Sequence, residues 1–177
     1  MLALMLVPAL ARPQAAVFSS DSVKAAFLYR FASYVEWPPD APSGPLVIAV
    51  AGAEDIATRL DELLPRLTVR GQPAQVRRVD EVNELDGVHI LYIAPQAMKR
   101  LRALRTAALA RPILIVADQD DGLERGAVVN FIEANRNVRF EISLTAADRA
   151  HLKINSSLLS VAARVERRPE IATGVPR

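Results

Sequence analysis

Six consecutive apolar residues, Leu46-Val47-Ile48-Ala49-Val50-Ala51, stop at Gly52. A run this short, apolar on both faces and closed by glycine, fits a strand covered on both sides, the usual state of parallel strands. Residues 88–93 and 113–117 repeat the pattern, and residues 75–79 read as a further strand. Between them, residues 54–64 and 95–109 have helical character; in the second, Met98, Leu101 and Leu104 share one side and Lys99, Arg100, Arg102 and Arg105 cover the rest. From residue 127 the rhythm changes. Stretches 128–132 and 138–142 flank Glu133-Ala134-Asn135-Arg136, a link short enough for an antiparallel hairpin. Short helices at 146–150 and 156–165 follow. The expected architecture is an α/β fold, a single three-layer domain whose mixed, mostly parallel sheet ends in a C-terminal antiparallel hairpin and closing helices.

Upstream of the first strand, Ser20 or Asp21 can cap a helix whose apolar residues Val23, Ala26, Phe27, Phe31, Tyr34 and Val35 recur at helical spacing, with Pro38-Pro39 as its stop. Residues 2–11 form an apolar run ended by Arg12-Pro13 and containing the small-x-small triplet Ala9-Leu10-Ala11. That is the pattern of a secretory leader, although no Lys or Arg precedes it. It is too short to span a bilayer, which takes about 20 residues. The expected organisation is a signal peptide over 1–15, one domain over 20–166 and a loose tail over 167–177.

Charge and chemistry narrow the function. Among 177 residues, 22 basic and 20 acidic side chains leave a net charge of +2, which gives nucleic acid little to hold. There is no cysteine, so disulfides and thiolate chemistry are excluded. Neither a P-loop nor a spaced-glycine fingerprint is present. The acidic loop Asp118-Gln119-Asp120-Asp121-Gly122 fails the calcium-loop spacing, because its glycine comes one residue early and Val129 stands where the bidentate acid belongs. It reads as a solvated turn. His89 lies within an apolar strand and reads as a hydrogen-bonded strand residue, with no nucleophile elbow to serve. The chain is therefore expected to be no enzyme and to hold no cofactor or metal.

Lys24-Ala25-Ala26-Phe27-Leu28-Tyr29, Glu36-Trp37-Pro38, the strand at 126–131, Val138-Arg139-Phe140-Glu141-Ile142 and the helix start at 154–159 together resemble the YfiR family of periplasmic regulators, over residues 22–166. The resemblance implies a non-enzymatic, periplasmic, homodimeric α/β protein. Such a protein binds the periplasmic domain of an inner-membrane diguanylate cyclase and represses it, lowering cyclic di-GMP. Better-known members carry cysteines used in redox sensing; this chain has none, so that input is closed to it.

Five residues within the family-like blocks are candidates for partner or ligand contact. Tyr29, Phe31, Tyr34 and Trp37 are four of nine aromatics (one Trp, three Tyr, five Phe). Of these, Tyr34 and Trp37 combine an apolar face with a polar handle, as interfaces favour. His151, Lys153 and Asn155 precede the last helix, where they can offer donors to a small anionic or nucleotide-like ligand. Asn155 can instead simply cap that helix. The alternative to the cyclase repressor is a periplasmic small-molecule-binding sensory module acting on a sensor kinase or another membrane protein.

Overall fold

The chain enters the fold through α1 (Ser20–Tyr34), and its cap is Ser19, one position before the first expected cap; the Ser19 hydroxyl accepts from Ser22 N at 3.2 Å. The helix also ends before Pro38-Pro39, because Val35 and Glu36 leave it to form β1 (Val35–Glu36). The structure, a computed structural model, describes residues 19–97, 99 and 101–167. The signal-like segment 1–15 and the tail beyond Arg167 lie outside the described residues.

After β1 come β2 (Leu46–Ala51), α2 (Glu54–Leu63), β3 (Thr68–Val69), β4 (Gln72–Arg78), β5 (Ile90–Ile93), α3 (Arg102–Leu109) and β6 (Leu114–Ala117). The hairpin β7 (Val129–Ala134) and β8 (Asn137–Ser143) is followed by α4 (Leu144–Arg149), β9 (Lys153–Ile154), α5 (Ser156–Val161) and β10 (Arg164–Glu166). Eight strands form one sheet in the order β10-β8-β7-β6-β5-β2-β4-β3. The block β7-β6-β5-β2-β4 is parallel throughout, and the β7–β8 pairing is antiparallel, as the sequence implied. All six residues of β2 are buried. Because side chains alternate along a strand, Ile48, Val50, Tyr92 and Val116 face the layer holding α1 and α2, whereas Val47, Ala49, Leu91 and Ile115 face the layer holding α3.

Several boundaries differ from the sequence reading. The strand expected at 75–79 starts at Gln72, because Arg70 and Gly71, both at positive φ, turn β3 back onto β4. The helix expected from residue 95 is a single 3₁₀ turn, Pro95–Ala97, with α3 beginning only at Arg102. The last helix stops at Val161 rather than running to 165. Arg164 instead lies opposite Glu141 of β8 and binds it through two nitrogens at 2.9 and 3.0 Å, which makes the segment an edge strand. The hairpin loop closes to Asn135 and Arg136, at φ 53° and 61°, the geometry of the tight turn whose twist suits paired strands.

Helix α1 is held on the sheet by aromatic packing. Phe31 is fully buried with its ring 5.1 Å from Phe140 and 5.9 Å from Phe131, and half-buried Phe27 lies 5.3 Å from Phe140. The helix buries Ala25, Leu28, Phe31 and Ala32. These four lie at i, i+3, i+6 and i+7, one stripe of the helix, and join the same core as the sheet and α2. Phe31→Ala is expected to lower unfolding stability in urea by about 3–5 kcal/mol through the cavity it leaves. Arg136→Gly is expected to raise it by up to about 1 kcal/mol, since glycine adopts the left-handed turn conformation without strain.

Candidate functional site

The two family-like blocks meet at one end of the molecule. β1 and β9 pair antiparallel, Val35 against Ile154 and Glu36 against Lys153, and Asn155 N donates to Tyr34 O at 2.9 Å. Sequence reasoning had no signal for this two-residue clasp, which nevertheless brings Tyr34 and Trp37 beside Lys153 and Asn155. Tyr34 and Trp37 are half-buried, while His151, Lys153 and Asn155 are exposed. Asn155 caps α5, its Oδ1 accepting from Ser157 N at 2.8 Å. His151, at φ 56°, terminates α4 in the left-handed conformation, with its N–H donating to Asp148 O at 3.0 Å.

Beneath the clasp, the Trp37 ring stands edge-on to His89 at 5.7 Å, and its buried indole N–H finds no acceptor among the described residues. His89 is held on both ring nitrogens. Nδ1 accepts from Val47 N at 3.2 Å and Nε2 lies 3.0 Å from Pro42 O, bonds that place the proton on Nε2. This commits the ring to the backbone just before β5, so His89 is hydrogen-bonded as expected but lies one residue outside the strand, and it leaves no lone pair for base chemistry.

A second feature lies at the opposite end, where the chain leaves β2 through α2 on one face and leaves β5 through α3 on the other. Such a reversal opens a crevice at the carboxyl ends of parallel strands. Here it is a 290 Å³ cavity walled by Gly52, Pro95, Gln96 and Asp118 after the strands and by Asp21 and Lys24 of α1. Gly52, at φ 76°, keeps the crevice tight, because a Cβ there would meet Ala97 Cβ at 2.4 Å. Lys24 Nζ lies 2.5 Å from Asp118 Oδ2, and the buried Tyr92 hydroxyl donates to the same oxygen at 3.0 Å. Asp118 is thus no solvated turn residue: its side chain retains 20% exposure. The sequence signal was its place immediately after the apolar run 113–117. Burial, and then the Asp118 carboxylate, push the Tyr92 phenol far above its usual range. Glu54, in the first turn of α2, is turned to Arg78 at 2.9 Å, and that hydrogen bond holds its carboxyl below the usual range.

Between α1 and α2 runs a third feature, an apolar groove of about 690 Å³ lined by Val23, Ala26, Phe27 and Leu63 and edged by Arg30 and Arg59.

With this geometry in place, comparison with known proteins is informative. The sequence model of the family described as YfiR/HmsC-like matches residues 21–163. No curated protein matches. Among solved structures, an ABC domain in complex with L-Trp from Streptococcus pneumonia is similar over 83% of this chain, with a TM-score of 0.53 at 11% identity. A conserved domain protein from Vibrio cholerae O1 biovar eltor str. N16961 is similar over 83%, with a TM-score of 0.49 at 14% identity. The chain spans 60% of the length of each of these two.

The Tyr92 contacts generate a pH signature. A phenol whose folded pKa exceeds its unfolded value contributes stability that is complete below about pH 10 and is lost as pH rises toward the folded value. Urea midpoints measured above about pH 10 should therefore fall more steeply for the wild type than for Tyr92→Phe.

Proposed function

The chain belongs to the YfiR/HmsC-like family, and from that premise we propose that it is a non-enzymatic periplasmic regulator. It binds the periplasmic domain of an inner-membrane diguanylate cyclase and holds it inactive, lowering cyclic di-GMP. The family match over residues 21–163 carries this reading. The leader-like segment 1–15 supports the compartment. Repression of this kind needs no bond to be made or broken, only tighter binding to one of two partner states.

The clasp supports a contact surface. Tyr34 and Trp37 offer half-buried aromatic faces, and beside them the ammonium of exposed Lys153 makes no hydrogen bond or ion pair among the described residues. Aromatic anchors ringed by polar groups are the usual centre of a binding surface. Asn155 and His151 complete the rim. The apolar groove along α1 gives a second exposed apolar surface, and a homodimer would use one of the two while leaving the other for the cyclase.

One observation favours the alternative of a small-molecule-binding sensory module acting on a sensor kinase or other membrane protein: the crevice between β2 and β5 is where open α/β sheets hold small ligands. The Streptococcus pneumonia domain, described with L-Trp bound, supports this by fold alone. The two readings join if the ligand sets the affinity for the membrane partner.

Affinity capture tests the proposal. Tagged protein of residues 16–177, used as bait on detergent-solubilised membranes of the native host, is expected to recover a membrane-bound cyclase. Trp37→Ala and Lys153→Ala should each reduce that recovery about tenfold or more, the scale of a loss at a binding centre. Folded bait that recovers no membrane protein contradicts a stable complex and favours the sensory module.

A further inference from the structure

Helix α1 carries two stripes with apolar side chains, and the fold fully buries only one of them, Ala25, Leu28, Phe31 and Ala32. Val23, Ala26, Phe27 and Arg30 form the second, at i, i+3, i+4 and i+7, and it makes one wall of the groove between α1 and α2. Its three apolar members are half-buried and Arg30 is exposed. The other wall is Arg59, Glu62 and Leu63, at i, i+3 and i+4 of α2. At about 690 Å³ the space has the size of a small-ligand site, which is typically apolar with a few polar groups that fix orientation.

The charges of the groove are gathered toward one end. Asp21 and Lys24 of α1 border the crevice together with Glu54 and Asp55 of α2, so both helices start at the crevice and run side by side away from it. The near end of the groove holds the neutral Ser22 and Val23, whereas Arg30 lies about 15 Å along α1 and Glu62 about 12 Å along α2. Its titratable groups are two guanidinium groups, Arg30 and Arg59, and one carboxylate, Glu62. Arg59 Nη1 donates to Glu62 Oε2 at 3.0 Å, an exposed pair on one helix that holds neither partner tightly. Arg30 makes no hydrogen bond or ion pair among the described residues. The far end therefore keeps one uncompensated positive charge, beside an apolar trough about 10 Å long from Val23 to Arg30.

We propose that this groove binds a medium-chain fatty acid, its alkyl chain laid along Val23, Ala26, Phe27 and Leu63 and its carboxylate on the Arg30 guanidinium. Chain and head are both needed. An uncharged apolar guest leaves Arg30 unanswered, and a cationic amphiphile meets like charge. A small anion has no apolar surface to bury, so an exposed arginine holds it weakly. The guanidinium presents a fork of donors that fits a carboxylate, and alkyl burial along the trough supplies the rest of the affinity. A second copy laid groove to groove brings net positive charge to both sides of the contact, so the fatty acid is the better match. Where the groove also takes one of the protein contacts proposed above, fatty acid and protein compete for it. That consequence rests on the proposed function; the binding site does not.

Equilibrium dialysis of labelled decanoate, below its micellar concentration, against the purified protein tests the site. The expected result is one saturable site per chain, with decanol and decyltrimethylammonium competing at least about tenfold more weakly, the scale of one charge-assisted contact. Arg30 is exposed, so Arg30→Gln should fold normally, weaken decanoate about tenfold and leave decanol binding unchanged. Ala26→Phe fills the trough and should abolish binding of both. If that variant fails to fold, the comparison of decanoate with decanol on Arg30→Gln decides. Absence of saturable decanoate binding overturns the proposal, and so does uptake of several molecules per chain without saturation, the behaviour of a detergent. Decanoate affinity that Arg30→Gln leaves unchanged overturns the placement of the head. Failure of decanoate to bind, with Ala26→Phe converting a dimer to monomer in sedimentation equilibrium, overturns it in favour of a second copy. Loss of cyclase capture with saturable decanoate binding intact would refute the partner and leave the site standing.

Discussion

The seating of α1 across the sheet governs both ends of this molecule. Phe27 and Phe31 fix the middle of the helix among Phe131 and Phe140, and buried Tyr92 extends the cluster with its ring 6.3 Å from Phe131. One end of α1 is tied to the crevice by the Lys24–Asp118 ion pair; the other is tied to β9 by backbone pairing and by Asn155 N on Tyr34 O. Lys24 and Tyr34 are ten residues apart on the helix, about 15 Å, so the two tethers are separate yet mechanically connected. A shift of the helix at one tether has to be absorbed at the other, because the aromatic layer between them is close-packed.

Under the proposed role, this arrangement shows how a domain with the His89 ring committed to structure carries information. His89 spends its ring on Val47 and Pro42 just before β5, and the His151 backbone ends α4. What the fold offers instead is a polar crevice, an exposed clasp with an aromatic face, and an apolar groove, all three touched by the first helix or the strand that continues it. The proposed regulatory role needs a place to sense and a place to bind, joined by something stiff. Helix α1 has the position and the packing for that task.

Much of the central sheet was legible in the chain because burial on both faces leaves an uninterrupted apolar run, as in residues 46–51, and because the hairpin's two stretches sit at a spacing only a tight turn can serve. The short pieces were not legible. β1, β9 and β10 contain two or three residues each, too few for any periodicity, and they exist only because tertiary partners supply the hydrogen bonds. The end of α5 was misread for the same reason: Val165 continues an apolar rhythm, but the Arg164–Glu141 pair across the sheet edge decides the conformation. At the candidate site, Tyr34, Trp37, Lys153 and Asn155 were readable as aromatic and polar residues near helix ends, whereas their adjacency depended on the unseen clasp. Asp118 was dismissed with its acidic loop because charge pattern alone does not show that Lys24, far away in sequence, reaches it.

The most direct measurement is the cyclic di-GMP content of the native host with the gene deleted and then restored. The proposed role predicts that the level rises on deletion, returns with the wild-type protein and stays high with Trp37→Ala expressed at equal abundance. An unchanged level after deletion, under conditions where the protein is normally present, would contradict repression of a diguanylate cyclase.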